Sequence, residues 1–184
     1  MNYVIDDILR KHQSGERLKH LFFWGHTPAK DGQITKSCFS QWWECNFEID
    51  GITYRNAEQF MMAEKARVFN DSTIREQILQ STHPKQAKDL GRQVSGFSKD
   101  IWENERYDIV KRGNLAKFSQ NNDLKEFILN TGSRVLVEAS PVDKIWGIGL
   151  SADDKDIENP LMWQGLNLLG FALMEVRDEL MRMN

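Results

Sequence analysis

The sequence of 184 residues has two cysteines, Cys38 and Cys45, which are too few for a disulfide framework and lack the spacing of a metal site. Its four histidines are scattered, without a Cys/His cluster or the His-Glu-x-x-His motif of zinc hydrolases. No apolar run approaches the about 18 residues of a membrane-spanning helix, and no signal-peptide pattern is present. We therefore expect no metal, no cofactor and no membrane partner, and we expect a cytoplasmic protein with reduced thiols.

An excess of positive charge is also missing. The chain carries 24 Lys and Arg residues against 27 Asp and Glu residues, which gives a net charge of −3. Proteins that bind nucleic acid non-specifically through its phosphates are usually basic, so the charge disfavours that function but not action on a single modified base. The length suits one domain, and we expect residues 1–20 to form a helical arm before a single domain at residues 21–184.

Local patterns predict a mainly α fold with a small β element. Alternating residues on both sides of Asp50-Gly51, a pair typical of a type I′ turn, predict a hairpin at residues 47–54. Further strands are predicted at residues 21–24 and 134–138. Helices are predicted from residue 2 to near Gly15, at residues 54–69, 72–80, 83–91, 98–118 and 123–129, and from Asn159-Pro160 onward, with Gly113 expected to weaken or bend the helix that contains it.

The predicted helix at residues 54–69 has a well-defined beginning. Asn56 is a favourable N-cap residue, and Gln59 three positions later is placed to close a capping box. The helical period puts Gln59, Glu64 and Arg67 away from the apolar arc, so we expect these three side chains on a solvated face.

Two charged side chains lie within the apolar arc of the same helix. Glu58 and Lys65 fall about 20° apart and two turns from each other, among methionine and aromatic residues. Because burial of an unpaired charge is strongly unfavourable, this placement requires a reason. Either the two charges belong to a buried ion-pair network with partners elsewhere, or they line a pocket.

A second candidate segment begins at Glu138, which ends a predicted strand. A proline turn then brings Asp143, Trp146 and Gly147 close together. Gly147, with Gly149 two residues later, permits close approach of the backbone to a ligand, although a tight turn explains the same residues. The glycine spacing matches neither a P-loop nor a dinucleotide-binding fingerprint.

Other positions carry weaker signals. Asn159 and Gln164 lie at the predicted start of the last helix, whose amides could hold a phosphate or could simply be capped. Lys117 is expected to be a solvated charge. The tryptophans Trp24 and Trp42 lie in predicted loops, where they suit either core packing or stacking against a flat ligand.

The remaining candidate groups are carboxyl groups, a lysine on an apolar helix face and aromatic rings. No Gly-x-Ser-x-Gly motif, catalytic Cys/His pair or metal triad accompanies them. This set suits cleavage at the anomeric carbon of a sugar, where positive charge develops in the transition state. A carboxyl group can stabilise that charge and activate water, while a flat base stacks on tryptophan.

Several segments together resemble the NADAR (YbiA-like) family over residues 22–182. They are Asn56-Ala-Glu-Gln-Phe-Met-Met-Ala-Glu-Lys-Ala, Leu115-Ala-Lys-Phe, Leu136-Val-Glu-Ala-Ser-Pro-Val-Asp-Lys-Ile-Trp-Gly-Ile-Gly, residues 159–170 and residues 173–177. The resemblance implies a mostly helical YbiA-like fold and N-glycosidase chemistry. It implies a small-molecule partner, ADP-ribose or a ribosyl nucleotide such as a phosphoribosylamino-pyrimidine of riboflavin synthesis. It also implies action on ADP-ribosylated guanine in DNA, in some members beside a DNA ADP-ribosyltransferase.

The resemblance further implies roles for individual residues. Glu58 and Lys65 match the family's Glu-x6-Lys helix, and Asp143, Trp146 and Gly147 match its second motif. The predicted catalytic residues are Glu58, Lys65 and Asp143. The predicted substrate-binding residues are Trp24, Trp42, Glu138, Trp146, Gly147, Asn159 and Gln164.

Two positions depart from the family pattern. Gln41 replaces the asparagine of the usual Ser-Asn-Phe/Trp segment, and Met62 stands where many members have glutamine. Both positions could face the substrate and influence which base is accepted.

A mechanism follows as a hypothesis. Glu58 stabilises positive charge at ribose C1′ and orients a water molecule, while Asp143 contacts a ribose hydroxyl or transfers a proton. Lys65 either binds phosphate or attacks a ring-opened ribosylamine to form an imine, with burial lowering its pKa and Glu58 opposing that shift. Two alternatives are a non-catalytic module that binds ADP-ribose or an NAD metabolite, and an interaction domain with a buried ion pair.

Overall fold

The computed structural model describes residues 2–183 and confirms the mainly α prediction. Within these residues the α-helices are α1 Ile5–Gln13, α2 Ala57–Val68, α3 Ser72–Gln80, α4 Pro84–Gly91, α5 Lys99–Gln120, α6 Asn122–Leu129 and α7 Leu168–Arg182. The strands are β1 His20–Phe23, β2 Phe47–Ile49, β3 Ile52–Tyr54 and β4 Val135–Glu138. No helix in the described part of the chain is long and apolar enough to cross a membrane.

The chain divides into two compact units. The first contains the described residues up to Ser40 together with those from Asp123 onward, and the second is Gln41–Asn122. Each unit has its own small sheet: β1 pairs with β4 in the first, and β2 pairs with β3 in the second.

The first unit is built on a parallel pair of strands. The register runs from His20 opposite Val135 to Phe23 opposite Glu138. Val135, Leu136 and Val137 are all buried, and α7 packs against β4, so the strand reads as a continuous apolar run rather than an alternating one.

The last helix begins later than predicted. Asn159 caps only a 3-10 turn, Pro160–Met162, by accepting a hydrogen bond from the Leu161 N–H at 3.1 Å. The α-helix α7 starts at Leu168, after Asn167, which has a φ of 54° in the left-handed region. The helix start predicted at Asn159 is therefore wrong, because the backbone amides after this turn bond to a neighbouring loop instead of continuing a helix.

The N-terminal helix α1 is confirmed, and the residue pair before it is anchored on α7. The Tyr3 hydroxyl donates a hydrogen bond to Asp178 Oδ2 at 2.7 Å, and the Asn2 N–H donates to Glu175 Oε1 at 2.6 Å. Burial, with the hydrogen bond to Asp178 and the charge of Asp178, raises the pKa of Tyr3 to about 12.

The raised pKa of Tyr3 predicts a loss of stability at high pH. Between about pH 10 and 12 the unfolded chain releases the phenolic proton while the folded chain keeps it, so the free energy of unfolding falls as pH rises. We expect Tyr3→Phe to lower the free energy of unfolding by about 0.5–1.5 kcal/mol at pH 8, the usual contribution of one hydrogen bond. The difference between the two proteins should shrink towards pH 12 in urea titrations. A difference that stays constant with pH would contradict the assignment.

The second unit surrounds α2. The predicted hairpin is confirmed, with Asp50 and Gly51 at φ 53° and 76°, as a type I′ turn requires. Helices α3, α4 and α5 all pack on α2. The solvated face predicted for this helix is therefore wrong for two of its three residues: Gln59 and Glu64 are 1% and 2% exposed.

The longest helix, α5, runs for 22 residues and is not interrupted at Gly113, where the sequence predicted a weakening or bend. A Cβ at this position would lie 2.5 Å from Cδ1 of Phe60 on α2. Gly113 is thus a position of close helix–helix contact, and its missing side chain lets the Phe60 ring approach the α5 backbone.

Candidate functional site

The first turn of α2 is held from two sides. The Gln59 N–H donates to Asn56 Oδ1 at 2.9 Å, which confirms the N-cap. Gln59 Oε1 accepts from the Arg55 N–H rather than from Asn56, so the reciprocal bond reaches one residue further back than a capping box predicts. Its Nε2 donates to the carbonyls of Ile78 and Ser81, which ties the start of α2 to the end of α3.

Four buried polar residues of the second unit are linked through a backbone hydrogen bond, a side-chain hydrogen bond and a shared helix, and we call them the buried polar cluster: Gln41, Glu58, Asn114 and Lys117. The Glu58 N–H donates to the Gln41 carbonyl at 2.9 Å. Asn114 Nδ2 donates to Gln41 Oε1 at 2.8 Å, and Lys117 lies one turn further along α5. Glu58 is 4% exposed, and Asn114 and Lys117 are 0% exposed. The segment from Gln41 to Trp42 therefore joins the start of α2 to the middle of α5.

Two amide atoms of the buried polar cluster have unused hydrogen-bonding capacity. Within the described residues, Gln41 Nε2 and Asn114 Oδ1 make no hydrogen bond. One is a donor and the other an acceptor, and they belong to the two amides that are already hydrogen-bonded to each other. Since buried polar groups in proteins are nearly always paired, this arrangement is unusual for a purely structural contact.

Lys117 was missed by the sequence analysis, which placed it in solvent. Its Nζ lies 5.1 Å from the centroid of the Phe118 ring, and the side chain is fully buried. A helical signal was present: Val110, Gly113, Asn114 and Lys117 are spaced three and four residues apart on the buried stripe of α5. A lysine in such a buried stripe indicates a candidate site residue in the same way as Glu58 in the apolar arc of α2.

Lys65 is half-buried and lies two turns from Glu58, about 10 Å along the helix axis. Its Nζ donates to the Gly91 carbonyl at 2.7 Å and lies 4.4 Å from the centroid of the Phe97 ring. Burial lowers the pKa of Lys65, as predicted. Lys65 and Glu58 share α2, but the hydrogen bond of Lys65 goes to a carbonyl and not to a carboxyl group.

Trp42 is half-buried, and it follows Gln41, a member of the buried polar cluster, in the sequence. Lys88 Nζ lies 5.7 Å from the centroid of the Trp42 ring, and the His83 ring meets it edge-on at 6.2 Å. These two contacts hold the Trp42 ring beside α4.

In the first unit, Asp143 organises the turn after β4. Its Oδ1 accepts hydrogen bonds from the N–H groups of Ile145 and Trp146, both at 2.8 Å. The Asp143 N–H in turn donates to Ser140 Oγ at 3.2 Å. Asp143 and Trp146 are thus brought together, with one carboxylate oxygen of Asp143 already occupied by the turn.

Gly147 lies in this turn where no Cβ fits. A Cβ there would be 2.8 Å from the Glu138 carbonyl and 3.0 Å from the Asp143 carbonyl. The close approach that the sequence assigned to a ligand is thus made by the protein's own backbone. The Asn167 N–H donates to the Gly147 carbonyl at 3.2 Å, and the Gln164 N–H donates to the Ile148 carbonyl at 2.8 Å.

Trp24 and Asn159 are two further residues that were predicted to bind substrate. Trp24 follows β1 and is 57% exposed, so its ring surface is available to a ligand. Asn159 uses its side chain to cap the 3-10 turn. Among the described residues no group of three His, Cys, Asp or Glu side chains is arranged to hold a metal ion.

Comparison with known proteins places this geometry in a family. Residues 22–181 match the NADAR domain. The chain belongs to the NADAR family. This confirms the resemblance drawn from the α2 helix and the Trp-Gly-Ile-Gly segment.

Curated proteins similar to this NADAR chain carry an activity in their names. The N-glycosidase R617 of Acanthamoeba polyphaga mimivirus is 43% identical over 166 residues, which cover 88% of this chain and 96% of that protein. The N-glycosidase YbiA of Escherichia coli is 31% identical over 144 residues, 78% of this chain and 79% of that protein. The chain is accordingly a hydrolase that acts on N-glycosyl compounds.

A solved structure confirms the fold of this NADAR protein. The NMR structure of Escherichia coli YbiA matches it with a TM-score of 0.72 and 26% identity, and the match covers 90% of this chain and 86% of that one. The predicted YbiA-like fold is therefore correct.

In this NADAR chain Gly165 packs so closely against the Trp-Gly-Ile-Gly turn that a substitution of Gly165 should lower the stability of the protein. A Cβ on Gly165 would collide with the Gly147 carbonyl and lie 2.8 Å from the Lys144 Cα, so the backbone itself must move. We expect Gly165→Ala to lower the free energy of unfolding by about 1–3 kcal/mol, the range for overpacking. Gly25→Ala is the control, because its Cβ would meet nothing within 4 Å and only the positive φ contributes. A Gly165→Ala protein as stable as the parent in urea titrations would show that crowding at Gly165 is unimportant.

Proposed function

We propose that this N-glycosidase cleaves the bond between ribose C1′ and a nitrogen of a base or amine. The substrate class is ADP-ribosylated guanine or a phosphoribosylamino-pyrimidine. The observation that carries the proposal is the buried polar cluster, in which the ionisable side chains of Glu58 and Lys117 are both nearly inaccessible to water. Buried ionisable groups are costly for folding and are concentrated at functional sites.

Glu58 is the residue we assign to charge stabilisation. Its backbone is fixed by the N-cap of α2 and by the hydrogen bond from its N–H to Gln41. A carboxyl group held rigidly in a poorly solvated place stabilises positive charge on a ribosyl carbon more strongly than one in water. The same group can orient the attacking water.

Two lysines compete for the role of nucleophilic amine, Lys65 and Lys117. In the imine route the neutral amine attacks C1′ of the ring-opened ribosylamine, and the base leaves as its free amine. Water then hydrolyses the lysine imine, which restores the amine and releases the sugar. A lowered pKa favours the neutral form of Lys65. The complete burial of Lys117 makes it the second candidate, with Lys65 then free to bind phosphate.

The remaining proposed contacts come from the sequence resemblance to the family. Since Asp143 Oδ1 is engaged by the turn, we assign the contact with a ribose hydroxyl to its other oxygen. Trp42 and Trp146 remain proposed stacking residues, and Trp24 is a further ring, exposed to solvent. Gln164 and Glu138 remain proposed contacts for polar atoms of the substrate.

Release of free base from defined substrates tests this proposal. The full chain is incubated with DNA that carries ADP-ribosylated guanine and, separately, with ribosylaminopyrimidine phosphates, and the products are separated by chromatography. We expect one of them to release its base. If DNA is the substrate, a DNA ADP-ribosyltransferase is the reaction that must supply it. Binding of ADP-ribose without base release from either substrate would favour the non-catalytic module instead.

A further inference from the structure

A cavity of about 990 Å³ lies in the first unit. Its walls come from α1, the loop that follows it, the segment before β4 and one side of α7. Its lining includes none of the predicted catalytic or substrate-binding residues. The cavity is large enough for a small organic molecule.

The rim of this cavity is basic, although the chain as a whole is acidic. Five basic and three acidic side chains line it. Two of the acids are engaged, because Asp7 pairs with Arg10 and Asp178 accepts the Tyr3 hydroxyl. Apart from Arg177, the basic side chains of the lining without an ion pair in the described residues are Lys11, Arg17 and Lys19.

A buried arginine also lines the cavity. Arg177 is 3% exposed, and its Nη1 donates to Thr131 Oγ1 at 2.8 Å and to the Arg134 carbonyl at 2.9 Å. Its Nε makes no hydrogen bond within residues 2–183. A buried donor without an acceptor is unfavourable, and an anionic oxygen of a ligand would satisfy it.

Apolar side chains form the rest of the wall. Ile8, Val135 and Met174 are buried, and Leu18 is half-buried. Inorganic phosphate has no apolar part that could contact this surface. A ligand that matches both parts carries phosphate at one end and a flat apolar body at the other.

We propose that this cavity is a binding site for a nucleotide, separate from the catalytic residues. The phosphate lies among Lys11, Arg17 and Arg177, and the base lies against Ile8 and Met174. This site does not depend on the substrate proposed above, because its residues take no part in base release.

Binding of AMP to the full chain tests the site, with adenosine and inorganic phosphate as separate probes. Heteronuclear NMR should show AMP shifting the amides of residues 14–19 and 132–135, and AMP should bind more tightly than either fragment. The double variant Lys11→Glu/Arg17→Glu should lose at least tenfold in affinity for AMP. Lys30→Glu/Lys155→Glu carries the same change of net charge at exposed positions that do not line the cavity, and it should bind AMP as the parent does.

Three outcomes would overturn the site. AMP could shift only amides near residues 41–58, which would place it elsewhere. The two double variants could bind equally well, which would remove the basic rim from recognition. Phosphate could bind as tightly as AMP, which would remove the apolar wall. Since Lys11 and Arg17 are exposed, both variants should fold, and a circular dichroism spectrum checks this.

Discussion

Glu58→Gln should reduce the rate of base release by at least about 100-fold, the lower end of the effect of a general acid or base. Glutamine keeps the size of the side chain and removes its negative charge, so the positive charge that develops on C1′ loses its stabiliser. The N-cap by Asn56 and the hydrogen bond from the residue 58 N–H to Gln41 involve the backbone, so both survive the substitution. The measurement is kcat with whichever substrate releases base.

Glu64→Gln is a matched control for this experiment. Glu64 is another buried carboxyl group on α2, but it is bound to Arg67 with Nε at 3.0 Å from Oε2. We expect Glu64→Gln to keep kcat within a few-fold of the parent. If Glu58→Gln were as active as the parent, the proposed role of Glu58 would be wrong. If its thermal unfolding temperature dropped steeply and that of Glu64→Gln did not, Glu58 would be a structural residue.

Lys117→Met should abolish turnover if Lys117 is the amine that forms the imine. Methionine is a flexible, unbranched side chain of similar length, so it fills the same buried space. Because Lys117 is completely buried and has interactions of its own, its removal lowers the free energy of unfolding, so kcat is measured at a temperature where the variant is shown to be folded. A loss of at least about 100-fold in kcat in the folded variant would separate catalysis from folding.

Borohydride reduction during turnover identifies which lysine reacts. With Lys117 as the reacting amine, mass spectrometry of the reduced protein should find the ribosyl adduct on Lys117 and should find none in Lys117→Met. Lys65→Met is the companion variant: with Lys65 as a phosphate ligand, it should raise KM and leave the adduct on Lys117. An adduct on Lys65 would reverse the two assignments. No adduct on either lysine, during measurable turnover, would exclude the imine route.

Local signals predicted most of the elements of this fold. Asn56 at an N-cap, Pro84 in a first turn and Asp50-Gly51 in a hairpin act within a few residues of chain, so the sequence contains all that is needed to read them. The start of the last helix was misplaced for the converse reason. Pro160 favours a helix locally, but the amides of residues 164–169 bond to the loop at residues 144–148, which no local pattern indicates.

The buried polar cluster shows where periodicity succeeds and where it fails. Glu58 was found because one apolar arc was traced on α2, yet Gln59 and Glu64 were assigned to solvent, because a single helix does not reveal that three others surround it. Helical periodicity also contains the signal for Lys117, since this residue continues the buried stripe of α5. The hydrogen bond between the Gln41 and Asn114 amides joins residues 73 positions apart, so the periodicity of a single helix does not indicate it.

Asn167 has a consequence for how the protein behaves at high concentration. On the side of β4 away from β1, the Asn167 side chain accepts from the Glu138 N–H at 3.0 Å and donates to the Leu136 carbonyl at 2.9 Å, while the Glu138 carbonyl accepts from Ile148. An open strand edge is a template on which other chains can add strands and aggregate. One asparagine side chain here imitates a third strand, so a sheet of only two strands offers no free hydrogen-bonding edge at β4 to a second molecule.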